Sequence, residues 1–208
     1  MSFDSRAPLC PPAKPLLIVL SGLSGVGKDS VLSALKKADF PVFIAVTATT
    51  RAKRPGEKEG VDYYFVSPEK FQEMKEKGEL LEFATVYDHN YGPPAEPVRQ
   101  ALKKGQDVIL RIDVQGAQTI KKKVPQAVLI FMVTTNLEEL EQRLKKRKTE
   151  TVEQLELRLK TALSELDKLS IFDYIVVNRE GKIDQTIADI RAIIAAEKCR
   201  VAPREINL

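Results

Sequence analysis

Histidine and cysteine are scarce in this chain of 208 residues, with one histidine and two cysteines. Cys10 and Cys199 stand near opposite ends and make neither a disulfide framework nor a metal cluster, which fits a reducing cytoplasm. His89, beside Asn90, reads as a turn residue rather than a catalyst. No apolar run approaches the ~20 residues that a membrane span needs. Residues 1–14 carry Pro8, Pro11 and Pro12 but no apolar centre of a signal peptide, and they read as a flexible tail. Internal repeats, low-complexity blocks and long linkers are missing too. A net charge of +4 suits a small anionic ligand and does not call for nucleic acid. The run Lys121, Lys122, Lys123 reads as a solvated helix end. What remains, 43% hydrophobic and 30% charged residues, is the make-up of one globular domain with a real core.

The chain is organised around a stretch near its start. Residues 16–21 form an apolar, β-prone run, and Gly22, Leu23, Ser24, Gly25, Val26, Gly27 and Lys28 follow at once. A helix is expected over residues 31–37. Strand, glycine-rich loop and helix in that order are the setting of a phosphate-binding loop, in which converging backbone N–H groups and a helix N-terminus attract anions. Lys28 would reach the β- and γ-phosphates. Asp29 occupies the place where the pattern expects a hydroxyl for magnesium. Ser30, one place later, either serves the metal through water or simply packs. On its own the loop implies a nucleotide site and nothing narrower.

Further along, strands are expected at 42–46, 63–66, 80–86, 107–113, 127–133 and 174–178. Residues 47–57 are polar, basic and turn-rich, and 90–94 read as a tight turn. Helices are expected from Ser67 and Pro68 to about Gly78, at 96–104, 114–123, 136–148 and 183–197, and from a Thr151 cap to about residue 169. The helices at 136–148 and 151–169 are so charged that they should be poorly buried and mobile. Alternating strands and helices imply a parallel sheet covered on both faces, with ligands beyond the carboxyl ends of the strands. Residues 47–93 stand out as a β-rich insertion. Within it Arg51 and Arg54 could grip a second phosphate, or form a solvated basic loop; the local residues leave both readings open.

A resemblance narrows the choice. Thr47, Thr49, Arg51, Arg54, Pro55, Gly56, Glu57, Gly60, Asp62, Tyr63 and Phe65 look like the nucleoside-monophosphate segment of guanylate kinases. So do Leu81, Glu82 and Phe83, then Asn90, Tyr91 and Gly92, then Asp113, Val114, Gln115 and Gly116, and finally Asn178. The match runs in order from about residue 16 to residue 197. It implies a P-loop NTPase-like α/β fold with a core of residues 15–46, 94–133 and 166–208, a GMP-binding insertion at 47–93 and a helical lid at 134–165. The activity implied is ATP-dependent phosphorylation of GMP, and of dGMP, with Mg2+. Implied GMP ligands are Arg51, Arg54, Tyr63 and Tyr91 at the phosphate and Glu82 and Thr47 at the guanine edge, with Asp113 in the same site. On the donor side the resemblance implies residues 22–30 with Lys28, the lid arginines Arg143, Arg147 and Arg158 over the ATP phosphates, and Asn178 near the adenine.

Two further residues depart from the family pattern. Arg111 stands where relatives usually carry an acidic residue, and Pro93 replaces a hydroxyl residue. An Asp29–Arg111 pair would preserve the local charge balance. A guanylate-kinase-like protein-interaction module without turnover, and a nucleoside monophosphate kinase of different base specificity, are the competing readings; Gly27 and Lys28 speak against the first and Glu82 against an adenylate enzyme.

Overall fold

The computed structural model describes residues 13–86, 88–146 and 152–208. Most of the expected tail, Arg147 and the Thr151 cap lie outside the described residues. Strand β1 (Leu17–Gly22) is wholly buried, and helix α1 (Lys28–Lys37) follows the glycine loop. This helix starts at Lys28 rather than Val31, because Gly27 serves as its N-cap at φ 99°. Next come β2 (Val42–Ile44) and β3 (Thr47–Thr49). The latter occupies part of the stretch that reads as a polar loop. Its register explains the difference: it pairs in parallel with β4 (Tyr63–Phe65), which brings two β-branched threonines onto a pleated surface.

Helix α2 (Pro68–Glu76) opens as its residues foretell, with proline first and Ser67 Oγ accepting from the Lys70 N–H at 3.1 Å. The expected strand at 80–86 shrinks to β5 (Ala84–Val86), and the expected turn at 90–94 is instead β6 (His89–Gly92). His89 therefore sits in a strand, while Asp88 before it adopts φ 65°. Then follow α3 (Ala95–Lys103), β7 (Asp107–Arg111), α4 (Val114–Lys123), β8 (Val128–Val133), α5 (Leu137–Lys146), α6 (Val152–Leu166), β9 (Tyr174–Val177) and α7 (Ile183–Lys198).

The five strands β2-β7-β1-β8-β9 form one all-parallel sheet. Alternate side chains of β1 feed two separate cores. Ile18 and Leu20 pack with residues of α1, α5, α6 and α7, whereas Leu17 and Val19 pack with α3 and α4. Phe131 closes against Phe172 edge-on, ring centroids 4.9 Å apart. The second sheet, β4-β3-β6-β5, stands beside the first.

One expectation about the lid is corrected. Helix α5 is not poorly buried: Leu140 and Leu144 lie within the main core at 0% and 1% exposure. Its charge count hides an i, i+4 apolar pair that needs only one narrow face. Helix α6 likewise buries Ala162 and turns Leu155, Leu159 and Leu166 toward the same core.

Candidate active site

A cleft of about 560 Å3 opens between the carboxyl edge of the parallel sheet, the second sheet and α6. At one end lies the loop from Ser24 to Asp29. Gly27 is needed there twice over: its φ is positive, and a Cβ would come within 2.7 Å of Asn178 Nδ2. The Lys28 ammonium donates to the carbonyls of Gly22 and Leu23, the second at 3.2 Å. Burial pushes its pKa below the usual lysine value, and the carboxylate of Glu165 opposes that fall.

Behind the loop, Arg143 and Asn178 act as braces. Arg143 Nη1 and Asn178 Nδ2 both donate to the Val26 carbonyl, at 2.8 and 2.7 Å. Arg143 also donates to the Asn178 carbonyl at 2.7 Å and pairs with Glu139. Neither residue lines the cleft, so Arg143 is not presented over it as the family pattern implies. Gly22 and Leu23 are buried at the root of the loop, and Ser30 is exposed on α1 away from the cleft lining. The oxygen at that end of the cleft belongs instead to Asp29, whose Oδ1 is paired with Arg111.

The second sheet supplies the opposite wall. Register places Thr47 beside Tyr63, and Tyr91 beside both Thr49 and Ala84. Thr47, Tyr63, Tyr91, Arg54 and Glu82 line the cleft together. Arg51 does not: both its terminal nitrogens are held by Glu57, at 3.0 and 2.8 Å, and its guanidinium lies 5.2 Å from the centre of the Tyr63 ring. Its place is behind Tyr63 as a brace, while Arg54, with its side chain exposed, faces the cavity.

Glu82 is the most unusual group in the cleft. It is 2% exposed, in the connection that the Leu80–Pro94 bridge turns inward ahead of β5. The Leu81 N–H donates to the Pro93 carbonyl at 3.0 Å, which fixes that connection. Desolvation, with Asp113 adding repulsion, pushes the Glu82 carboxyl up to about 8. Its Oε2 and the Oγ1 of Thr47 have no hydrogen-bond partner among the described residues. Gly116 faces this carboxyl so closely that a Cβ would come within 2.7 Å of it. Asp113 caps α4, its Oδ1 accepting from the Gly116 N–H at 2.8 Å, and burial raises its own pKa.

Helix α6 forms the third wall and holds what sequence reasoning missed. Arg158 donates to Ser24 Oγ at 3.2 Å, beside the glycine loop. Glu165 is the residue that no sequence pattern singled out. Its Oε2 accepts from the Ser24 N–H at 3.1 Å, which puts a carboxylate on the phosphate loop itself. Arg158, Thr161 and Glu165 line the cleft at spacings of three and four residues, which marks one face of α6, and Lys168 joins them from the turn just after the helix. That spacing was the available signal.

Comparison with known proteins agrees with the geometry. The family model described as guanylate kinase matches residues 14–197. The chain is 45% identical over 205 residues to guanylate kinase 2, chloroplastic/mitochondrial, of Oryza sativa subsp. japonica, covering 98% of this chain and 72% of the rice protein. It is 46% identical over 186 residues to the guanylate kinase of Caldanaerobacter subterraneus subsp. tengcongensis, covering 89% of each. Among solved structures, guanylate kinase from Anaplasma phagocytophilum matches with a TM-score of 0.75 at 32% identity, over 91% of this chain and 89% of that one. The glycine loop and the second sheet both fall within the matched residues, and the chain belongs to the guanylate kinase family.

Proposed function

We propose that the cleft holds ATP at the phosphate loop and GMP or dGMP against the second sheet, and that the γ-phosphoryl group of ATP passes to the acceptor phosphate to give ADP and GDP. Family membership carries the reaction. The observation that carries the acceptor assignment is the pair of buried, unpartnered oxygens, Glu82 Oε2 and Thr47 Oγ1, in the wall of the cleft that Lys28 also lines. Ionised, Glu82 accepts from guanine N1–H and from the N2 amino group; adenine offers no such donor pair. A buried acceptor left without its donors is costly, so the same residue rejects the wrong base.

Phosphoryl transfer needs little covalent help from a protein. It runs on in-line positioning and on neutralising charge, so a chain with a single histidine lacks nothing. Lys28 and Arg158 draw off charge from the migrating group, while Arg54, Tyr63 and Tyr91 hold the acceptor phosphate and Arg51 keeps Tyr63 in place. Movement of the 47–93 insertion and the 134–165 lid onto the core expels water that would otherwise hydrolyse ATP.

The donor chemistry of the cleft also fits magnesium. Asp113 lines it with carboxylate oxygens, the hard ligands this ion takes, whereas the Asp29 carboxylate is engaged by Arg111. Among the described residues no three acidic, histidine or cysteine side chains converge, so phosphate oxygens and water would complete the shell. Held there with ATP, the ion would supply positive charge to offset that of the phosphates. Among the described residues no helix is long and apolar enough to cross a membrane, and Cys199 is a free, exposed thiol, which suits a reducing cytoplasm.

A coupled assay of ADP release with GMP, dGMP, AMP and UMP side by side tests the base assignment. Turnover is expected with GMP and dGMP, and kcat/KM for AMP is expected to be lower by about 100-fold or more. Turnover with AMP and none with GMP would refute it.

A further inference from the structure

Arg111 ends β7, and its guanidinium touches three separate pieces of the chain. Nη1 is paired with Oδ1 of Asp29, the residue after Lys28 in the first turn of α1. Nη2 donates to the Asp62 carbonyl at 2.8 Å, at the entrance to β4. The planar group lies over the Tyr63 ring, 4.2 Å from its centre. The Arg111 side chain is only 12% exposed. A single cation thus joins the main sheet, the donor loop's helix and the second sheet. At the exposed end of the same seam, Lys36 Nζ of α1 donates to the Val61 carbonyl at 3.3 Å.

We infer that Arg111 is a positioning residue that clasps the acceptor half of the cleft to the donor half, through Tyr63 on one side and Asp29 on the other, so that each nucleotide's binding is felt by the other. This rests on the placement of GMP against Tyr63 given above. Guanidinium chemistry suits a clasp, because the rigid fork aims two N–H groups in fixed directions while its flat face stacks on a ring. An ammonium at the same point offers charge without either feature. Arg51 also contacts this ring, at 5.2 Å from its centre. Two cations therefore hold the ring, and Arg111 is the one tied to the helix that follows the phosphate loop. A displacement of Asp29 displaces Lys28, its neighbour on the same helical turn. All three contacts are made between protein groups, so they set the spacing of the two half-sites independently of either nucleotide.

The pair also gives a reason for two departures from the usual pattern at once. A carboxylate after Lys28, taken alone, would repel phosphate. An arginine at the end of β7, taken alone, would be an uncompensated charge under the insertion. Together they form a neutral bridge with its cation turned toward Tyr63.

The test is a titration calorimetry measurement of GMP affinity on the full chain, with and without a non-hydrolysable ATP analogue and Mg2+. Variants are Arg111→Met, Arg111→Lys, Asp29→Asn and the Arg111→Met/Asp29→Asn double, each checked for folding by circular dichroism. In the wild type the analogue is expected to tighten GMP binding by about fivefold or more. In Arg111→Met that factor should fall to about one and KM for GMP should rise about tenfold, with kcat changed by no more than about threefold. Arg111→Lys should lose the coupling too, because the fork is gone although the charge remains. Asp29→Asn should add nothing in the Arg111→Met background. Wild-type protein that does not bind GMP would overturn the acceptor placement. Wild-type protein that binds GMP without coupling, Arg111 variants that keep the coupling, or additive effects in the double would overturn the clasp alone.

Discussion

At the scale of the residue, Glu82 governs how the site should respond to pH. Burial holds its carboxyl at about 8 against an ordinary 4.5. Near neutrality the group is therefore mostly protonated, yet the proposed recognition of guanine N1–H and N2–H requires the carboxylate. GMP binding should expel a proton, and its affinity should rise from about pH 6 to about pH 8 and then level off. Calorimetry in buffers of different ionisation enthalpy counts that proton, and Glu82→Gln should abolish both the release and the pH slope. Stability moves the opposite way. Between 4.5 and about 8 the unfolded chain has shed this proton while the folded chain keeps it, so the contribution present in acid is lost as pH rises. None of this was legible in the sequence. Glu82 lies between Leu81 and Phe83, where alternation suggests an outward strand position; the Leu80–Pro94 bridge and the close approach of Gly116 turn it inward instead.

At the scale of the element, α6 presents one face to the core and another to the cleft. Leu155, Leu159, Ala162 and Leu166 face the core, and Arg158, Thr161 and Glu165 face the cleft. A carboxylate at Ser24 N–H repels the phosphate that the loop attracts. Glu165→Gln keeps an oxygen for that N–H but removes the charge, and should tighten ATP binding about threefold at low ionic strength. The gain should shrink at high salt. Equal ATP affinity in mutant and wild type, measured by equilibrium dialysis, would show that Glu165 does not face the phosphates. Charge counting misjudged α5 for a related reason: helical burial depends on where apolar residues fall, and Leu140 with Leu144 suffices.

At the scale of the molecule, the C-terminal segment is tied to the parallel sheet by a buried acid. Glu197, 2% exposed, accepts from Arg204 at 2.7 and 2.8 Å and from the Tyr174 hydroxyl at 2.7 Å. Arg204 also reaches the Ala127 carbonyl at 3.3 Å, just before β8. The Arg204 hydrogen bonds hold the Glu197 carboxyl below its ordinary value. Arg204→Ala leaves that buried charge with only the Tyr174 hydroxyl and the more distant Arg200, at 3.7 Å, and should cost about 3 kcal/mol, seen as a lower urea midpoint with an unchanged slope. Since a depressed carboxyl contributes stability above its ordinary pKa of 4.5 and loses it as pH falls, the variant should also lose part of the wild type's sensitivity to acid.

The sequence by itself determined the parallel α/β core, the phosphate loop and, through the spacing of several motifs, the family. Each of those depends on local chemistry: an apolar run long enough to be a buried strand, glycines where the backbone turns, a serine and proline that open a helix. Tertiary structure alone decided which charges face the cleft. Thr47 becomes part of a strand because Tyr63 pairs with it, and the Arg51 guanidinium is claimed by Glu57, whereas Arg54 gives that carboxylate only its backbone N–H. Arg143 turns to the back of the phosphate loop because the Val26 and Asn178 carbonyls accept from it there. Long flexible cations go to whichever acceptor the folded chain brings within reach, and residues far apart in sequence supply those acceptors. The scarcity of histidine and cysteine excluded whole classes of chemistry; the positions of the arginines had to wait for the fold.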